Sequence, residues 1–293
     1  MKIESKVFFQ GISRHDKYPV FPRIVLVLLM MTLAFLPSTA QVNNIGAVYV
    51  SGNAAINNSF TNASTANYRN DGVLYLTGDF TNNQPSMTEG TGTTEFTGSS
   101  LQKIKGSQTP VFHHVYVSNA GGVQMNISTT MGGTISTVAG SLYFNGYALT
   151  MGGKINTAYT NTSAFNVTAS SDLNITGNAA AGNGLYFDAA ANTLHNLTIT
   201  SGATGFLGNA LNITAGSSFG TVIADGNFNA AGFLTLKSDS NGTARVGQSA
   251  GNVTGNVTVE RYIPARRAWR FVSVPVNNDT LHIRTAWQEG VNN

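Results

Sequence analysis

The chain has 293 residues, contains no cysteine and has a formal net charge of +3 at neutral pH, with only 10% of its residues charged. Residues 1–40 hold five of the 16 basic and two of the 13 acidic residues, which leaves 11 of each in the remainder. Because residues 41–293 carry no net charge, electrostatics give no reason to expect nucleic acid or an anionic membrane as a partner. Without cysteine there are no disulfides, so packing or assembly must stabilise the fold.

The first predicted element is an apolar run over residues 24–36, which is too short to span a bilayer comfortably. Basic residues precede this run, and Ser38 and Ala40 supply small side chains at the −3 and −1 positions of a cleavage site. The pattern predicts that residues 1–40 are a secretory signal peptide, and the alternative is an uncleaved membrane anchor. We therefore expect a secreted or cell-surface protein with no membrane span in the mature chain.

From residue 42 onward, short segments of alternating apolar and polar residues recur without a convincing helical period. Each segment predicts a β-strand with one buried face. Glycine, asparagine and aspartate cluster between them, as expected of tight turns, and the glycine pairs lack the spacing of calcium-binding repeats. The residues predicted to point inward are Val115, Val117, Leu142, Phe144, Leu173, Ile175, Leu197, Ile199, Leu211, Ile213, Leu234 and Leu236.

Short motifs return at multiples of roughly 20 residues, as expected of a stack of similar coils. Residues 130–133 return as 150–153, residues 173–176 as 211–214, and residues 112–117 in pattern as 194–199. These offsets of 20, 38 and 82 approximate one, two and four units of a common length. We interpret them as equivalent positions in successive coils.

The coil length of about 20 residues predicts an all-β fold, a right-handed parallel β-helix or β-solenoid. The alternative is a set of β-sandwich modules, in which turns would recur every 8–12 residues or so. Residues 111–259 are predicted to form the regular solenoid. Residues 41–110 repeat less cleanly and contain Pro85 and Pro110, so we expect atypical amino-terminal coils or a cap.

The composition changes at Glu260, and residues 260–293 are predicted to be a junction to a further domain, with this chain the amino-terminal part of a longer protein. The segment combines basic and aromatic side chains that can contact an anionic glycan, although a salt-bridged, tryptophan-stacked boundary is the favoured interpretation. The candidate contact residues are Arg261, Arg266, Arg267, Trp269 and Arg270.

The junction carries a resemblance to a known family. Residues 232–246, followed by 255–264 and 267–271, resemble a junction found in large secreted surface proteins of Bacteroidota. The resemblance implies a repetitive β-solenoid outside the cell, exported by the Sec route and then by the type IX system. It also implies a role in adhesion or surface structure.

Three histidines are the best-placed candidate metal ligands, because neutral imidazole is a common ligand. His113 and His114 recur as His195 if the 82-residue offset marks equivalent positions. Four coils would then separate the two places by about 19 Å, so they cannot share a metal. We interpret the histidines as capping or turn-lining residues and expect no metal and no cofactor.

The acidic residues decide between two classes of function. A polysaccharide lyase or hydrolase needs clustered carboxylates, whereas those of residues 42–259 are widely spaced. The sequence therefore favours a non-enzymatic structural or adhesive surface protein, with extracellular glycans or other surface proteins as partners. The alternative is a carbohydrate-active β-helix enzyme. The acids concerned are Asp71, Asp79, Glu89, Glu95, Asp172, Asp188, Asp225 and Asp239.

Overall fold

The computed structural model describes residues 41–88, 90–156, 163–177, 184–216 and 218–264. All regular structure in these residues is β-strand, and they contain no helix. The predicted signal peptide and most of the predicted junction lie outside the described residues. The strands are β1 Val42–Asn44, β2 Ala47–Val50, β3 Asn53–Ile56, β4 Phe60–Asn62, β5 Asn67–Asn70, β6 Val73–Leu76, β7 Phe80–Asn82, β8 Thr93–Phe96, β9 Gln102–Gly106, β10 Val111–Phe112, β11 His114–Ser118, β12 Val123–Met125, β13 Thr129–Met131, β14 Ile135–Ala139, β15 Leu142–Tyr143, β16 Ala148–Met151, β17 Phe165–Val167, β18 Asp172–Ile175, β19 Phe187–Leu194, β20 Asn196–Ile199, β21 Thr204–Phe206, β22 Leu211–Ile213, β23 Thr221–Ala224, β24 Asn227–Asn229, β25 Leu234–Leu236, β26 Ser238–Asp239, β27 Gly242–Thr243, β28 Arg245–Val246, β29 Asn252–Thr254 and β30 Val257–Val259.

The strands wind into a β-solenoid of about ten turns, with about 21 residues per coil. In the first turn, β1, β2 and β3 follow one another on three faces, and β4 then pairs in parallel with β1 through Val42 and Phe60. Among the described strand pairs, only the β26–β27 hairpin is antiparallel. The predicted solenoid is confirmed, and the β-sandwich alternative is wrong because the ladders join successive coils in parallel.

Each of the three faces is a stack of parallel strands. Face 1 is a single 11-stranded sheet that runs from β1 to β30. Face 2 begins with the β2–β5 pair and continues as the seven-stranded sheet from β10 to β28. Face 3 consists of the five-stranded sheet from β3 to β14 and, further along, the three-stranded sheet of β21, β24 and β29.

The interior is one continuous hydrophobic core, and all twelve residues predicted to point inward are buried. Aromatic side chains stack from coil to coil along it, because in-register parallel strands place identical positions one above another. The ring centroids of Phe60 and Phe80 are 5.4 Å apart. Those of Phe165 lie 5.5 Å from Phe144 and 5.8 Å from Phe187.

The 20-residue offset is confirmed as a register, because Thr130 pairs with Thr150 and Met131 with Met151. The interpretation of the 38-residue offset is wrong. Leu173 lies on face 2 and pairs with Leu197, whereas Leu211 lies on face 1 and pairs with Leu234. The two motifs are alike because both are buried strands, and their coils differ in length.

The 82-residue offset also joins positions that are not equivalent. Phe112 lies at the end of a face 2 strand, whereas Leu194 ends the face 1 strand β19. His113 therefore lies at the corner between faces 2 and 3, where His114 begins β11, and His195 lies at the corner between faces 1 and 2. In both places an apolar residue followed by histidine marks a corner, but the two corners join different pairs of faces.

Residues 41–110 form coils that are continuous with the rest of face 1. Phe80 pairs with Phe60 in the preceding coil and with Ile104 in the next. Their irregularity is confined to face 2, where the described residues between β7 and β8 form no strand. Pro85 lies in that stretch, and a proline has no amide hydrogen to donate to a ladder.

Candidate functional site

The sequence-predicted contact cluster is described only at its first residue. Arg261 is exposed just after β30. Arg266, Arg267, Trp269 and Arg270 lie outside the described residues. The neighbouring Glu260 is anchored to the preceding coil, since its carboxylate pairs with Lys237 and accepts the backbone amide of Ser238 at 3.3 Å.

The histidines contact neighbouring coils. Nδ1 of His114 accepts the backbone amide of Thr134 at 2.8 Å. Nδ1 of His195 lies 3.2 Å from Oδ1 of Asp172, and its Nε2 lies 3.3 Å from the carbonyl oxygen of Ser218. Across the described ranges, no group of three His, Asp or Glu side chains could hold a metal ion.

Every one of the eight Asp and Glu side chains in the described residues accepts a hydrogen bond. Six of them bind a group 20 to 26 residues away on a neighbouring coil: Asp71, Asp79, Glu95, Asp172, Asp225 and Glu260. The other two, Asp188 and Asp239, bind backbone amides two or three residues further along. The carboxylates thus act as links between coils or as turn caps.

Asp79 illustrates the link. Its Oδ1 accepts the backbone amide of Lys103 at 2.9 Å, and its Oδ2 accepts from the ammonium group of Lys105 at 2.6 Å. Asp225 likewise accepts the amide of Ala250 at 2.9 Å, one coil further on. Hydrogen bonds to an ionised group are stronger than neutral ones, so each link fixes the spacing of two corners.

The contacts of Asp71 lower its pKa. The hydrogen bond from Arg69, at 2.6 Å, and that from the backbone amide of Thr91, at 2.9 Å, lower the pKa of Asp71 from 3.8 to about 2. The hydrogen bond to Asp71 in turn raises the pKa of Tyr49. This cluster fastens the first coils together on the outside of face 2.

A row of half-buried side chains crosses face 3 and was not recognised in the sequence. Tyr75 pairs with Glu95, and Glu95 pairs with Tyr116, so the three side chains lie side by side on adjacent strands. The sequence contains the information needed to find this row, because the strand segments at 73–76, 93–96 and 114–117 align at offsets of 20 and 21. We call these three residues the tyrosine row.

The surroundings of the tyrosine row are also defined. The hydroxyl of Ser118 donates to Oε1 of Glu95 at 2.6 Å. On one side the row continues to the exposed Ala55. On the other side it ends at Ser136, which pairs with Tyr116, is fully buried and binds the side-chain amide of Asn156 at 3.0 Å.

Within the described residues, the first coils border an apolar pocket at the amino-terminal end of the solenoid. This pocket is lined by Val48, Phe60 and Leu74 together with Tyr68. The Tyr68 hydroxyl is buried without a hydrogen-bond partner among the described residues, and burial raises its pKa far above the ordinary value.

The class of protein that these observations define is a β-solenoid with a continuous apolar core and polar outer faces. Comparison with known proteins adds no relative: no protein-family model, curated protein or solved structure matches the chain. Within the described residues, no helix is long and apolar enough to cross a membrane.

Proposed function

We propose that the protein is a secreted, cell-surface β-solenoid with a structural or adhesive role and without enzymatic activity. The observation that carries the proposal is the use of the acidic side chains. All eight in the described residues accept hydrogen bonds, and six link one coil to the next. Groups that fix the spacing of coils stiffen the solenoid.

Cleavage of a polysaccharide requires a different arrangement of carboxylates. A pair must face the same bond, and one of them must have a raised pKa to act as an acid near neutral pH. The hydrogen bond from Arg69 instead lowers the pKa of Asp71. That shift favours a permanently charged structural contact.

The outward surface supports a contact role. Thr61, Thr81 and Thr130 project from faces 1 and 2 between buried neighbours, and Gln124 and Asn126 form a hydrogen-bonded amide pair at 2.6 Å. Hydroxyl and amide groups in rows suit extracellular glycans or other surface proteins. Export of the chain is consistent with the apolar run at residues 24–36.

The location is tested on cells that produce the protein. We expect the exported chain to begin at Gln41 when its amino terminus is sequenced, and protease added outside intact cells to degrade it. A chain that begins at Met1, or one that is protected from protease until the cells are lysed, would contradict surface exposure.

The role is tested by deleting the gene and by assaying the purified protein. Deletion should reduce attachment of cells to glycan-coated or protein-coated surfaces, and restoring the gene should restore it. The purified protein should release no reducing ends or unsaturated sugars from a panel of polysaccharides. If the protein released sugar products over time, and if Asp172→Asn or Asp225→Asn abolished that release, the protein would be an enzyme instead.

A further inference from the structure

We propose that the tyrosine row on face 3 is a binding site for a neutral glycan chain. This inference rests on the proposed contact function and names its ligand class and residues. Tyr75, Glu95 and Tyr116 occupy one outward row on three successive coils, and each is half-buried. The packed sheet beneath holds them in place, with Leu74, Thr94 and Val115 buried at the neighbouring inward positions.

The spacing suits a polymer of rings. Adjacent parallel strands lie about 4.8 Å apart, so Tyr75 and Tyr116 are separated by roughly 9.6 Å, which is comparable to the length of a disaccharide. A phenol ring presents a flat apolar face and a polar hydroxyl. A sugar ring likewise combines an apolar face of C–H groups with hydroxyls at its edge, so each tyrosine can contact one ring of a chain.

Glu95 supplies the polar contact between the two rings. The hydroxyl of Ser118 holds Oε1 at 2.6 Å, and Oε2 has no hydrogen-bond partner in the described part of the chain. A charged acceptor forms stronger hydrogen bonds than a neutral one, and sugar hydroxyls are donors. The same negative charge opposes a glycan that carries carboxylates or sulfates, so the site selects neutral chains.

The boundaries of the row give the ligand a direction. Thr93 lies on the same side of β8 as Glu95 and adds a hydroxyl beside it, whereas the hydroxyl of Thr97 donates to the carbonyl oxygen of Leu76 at 3.1 Å. Ser136 closes the row beneath Asn156, and Ala55 leaves it open at the other end. A chain laid along the solenoid axis would therefore extend from Tyr116 toward the amino-terminal coils.

A basic peptide is the competing ligand, because aromatic rings and a carboxylate also attract cations. The tyrosine row has two features that favour the glycan. Thr93 places a hydroxyl group at its flank, and its two tyrosines lie on separate strands with Glu95 on the strand between them. The experiment separates the two ligands.

The test is titration calorimetry on the full secreted chain. Hexasaccharides of neutral glucan, xylan, mannan and galactan are compared with hexagalacturonate and with a trimethyl-lysine peptide. At least one neutral hexasaccharide should bind, and Tyr75→Ala and Tyr116→Ala should each weaken its binding about tenfold. Glu95→Gln should weaken it severalfold and lessen the discrimination against hexagalacturonate.

The matched control is Tyr143→Ala, which removes a half-buried tyrosine from face 1 and should leave binding unchanged. Circular dichroism and thermal unfolding must show that all variants remain folded. Absence of binding by every neutral hexasaccharide, tighter binding of the trimethyl-lysine peptide, or equal loss in Tyr143→Ala would overturn the site. Attachment of cells that persists in Tyr75→Ala would leave the adhesive function standing and refute only this site.

Discussion

Asn62 lies in the interior at the corner between faces 1 and 2, where its side chain is fully buried. Its Nδ2 donates to Oδ1 of Asn82 at 2.9 Å and to Oε1 of Gln84 at 2.8 Å, and its Oδ1 accepts from Nδ2 of Asn44 at 2.9 Å. A buried amide is costly without partners. Like amides on successive coils thus bond to one another in an asparagine ladder, and Gln84 and backbone carbonyl oxygens accept their remaining hydrogens.

We expect Asn62→Ala to destabilise the protein by about 1–3 kcal/mol, because it removes the acceptor of one Nδ2 hydrogen of Asn44 and the side-chain donor to Oε1 of Gln84, both of which are buried. The measurement is the urea midpoint of unfolding. The matched control is Asn43→Ala in β1, where the side chain is exposed, and it should change stability by no more than about 0.5 kcal/mol. Equal shifts in the two variants would argue against the ladder.

The lowered pKa of Asp71 predicts that the stability of the protein depends on pH in the acidic range. Its pKa is about 2 in the folded protein and 3.8 ordinarily, so the ionised form is favoured by folding. The contribution is fully present above about pH 4 and is lost as the pH falls through 2. Asp71→Asn and Arg69→Gln should each flatten the pH dependence of the unfolding midpoint between pH 4 and pH 2. A slope unchanged in both variants would show that this contact has no such effect.

At the scale of elements, a glycine column lies at the corner between faces 2 and 3. Gly52, Gly72 and Gly92 each precede a face 3 strand, on three successive coils. A Cβ on Gly72 would lie 2.1 Å from the carbonyl oxygen of Gly52, and one on Gly92 would lie 2.3 Å from that of Gly72. The corner is therefore built from glycine because the backbones of adjacent coils approach too closely for a side chain.

The column provides a matched pair of substitutions. Gly72→Ala should destabilise the protein by about 1–3 kcal/mol, because the backbone of either coil must move. Gly52→Ala places the same methyl group at the same corner of the first coil, where nothing lies within 4 Å. It should be neutral or stabilise by up to about 1 kcal/mol. Thermal unfolding of both variants tests the close approach, which equal losses would contradict.

At the scale of the whole molecule, the solenoid is a one-dimensional stack. Each coil contacts only its neighbours, so stability is a sum of coil and interface terms, and a terminal coil has one interface fewer. β15 is paired on both edges, with β12 and β17, whereas β1 pairs with β4 alone in the described residues. The carboxylate links and the asparagine ladder add to the interfaces between coils.

We expect backbone amides of the terminal coil to exchange their hydrogens faster than those of an inner coil. Backbone amides of β15 should exchange about tenfold or more slowly than those of β1, because the terminal coil opens without disturbing the rest. Mass spectrometry of exchanged peptides gives the measurement. Protection of β1 equal to that of β15 would mean that the end of the stack is covered, and the terminal coil would then not be the weak point.

The sequence by itself determined which side chains face the core. Leu142, Phe144 and the other predicted inward residues are buried, because alternate residues of a strand face opposite sides whatever strand lies beside them. Glycine and asparagine clusters likewise marked the corners. The 20-residue repeat of Thr130 and Met131 predicted that these positions lie in register on successive coils, and the pairing confirms it.

Only the tertiary structure decided which strands are neighbours. Phe60 pairs with Phe80 after 20 residues, but Leu173 pairs with Leu197 after 24, and a bulge in β19 between Phe187 and Asn192 contributes to the longer coil. Short motifs repeat wherever a buried strand meets a corner, so their offsets cannot establish the face on which they lie. The tyrosine row becomes visible only when the register is known, since sequence alternation specifies inside and outside but not the neighbour across a parallel ladder.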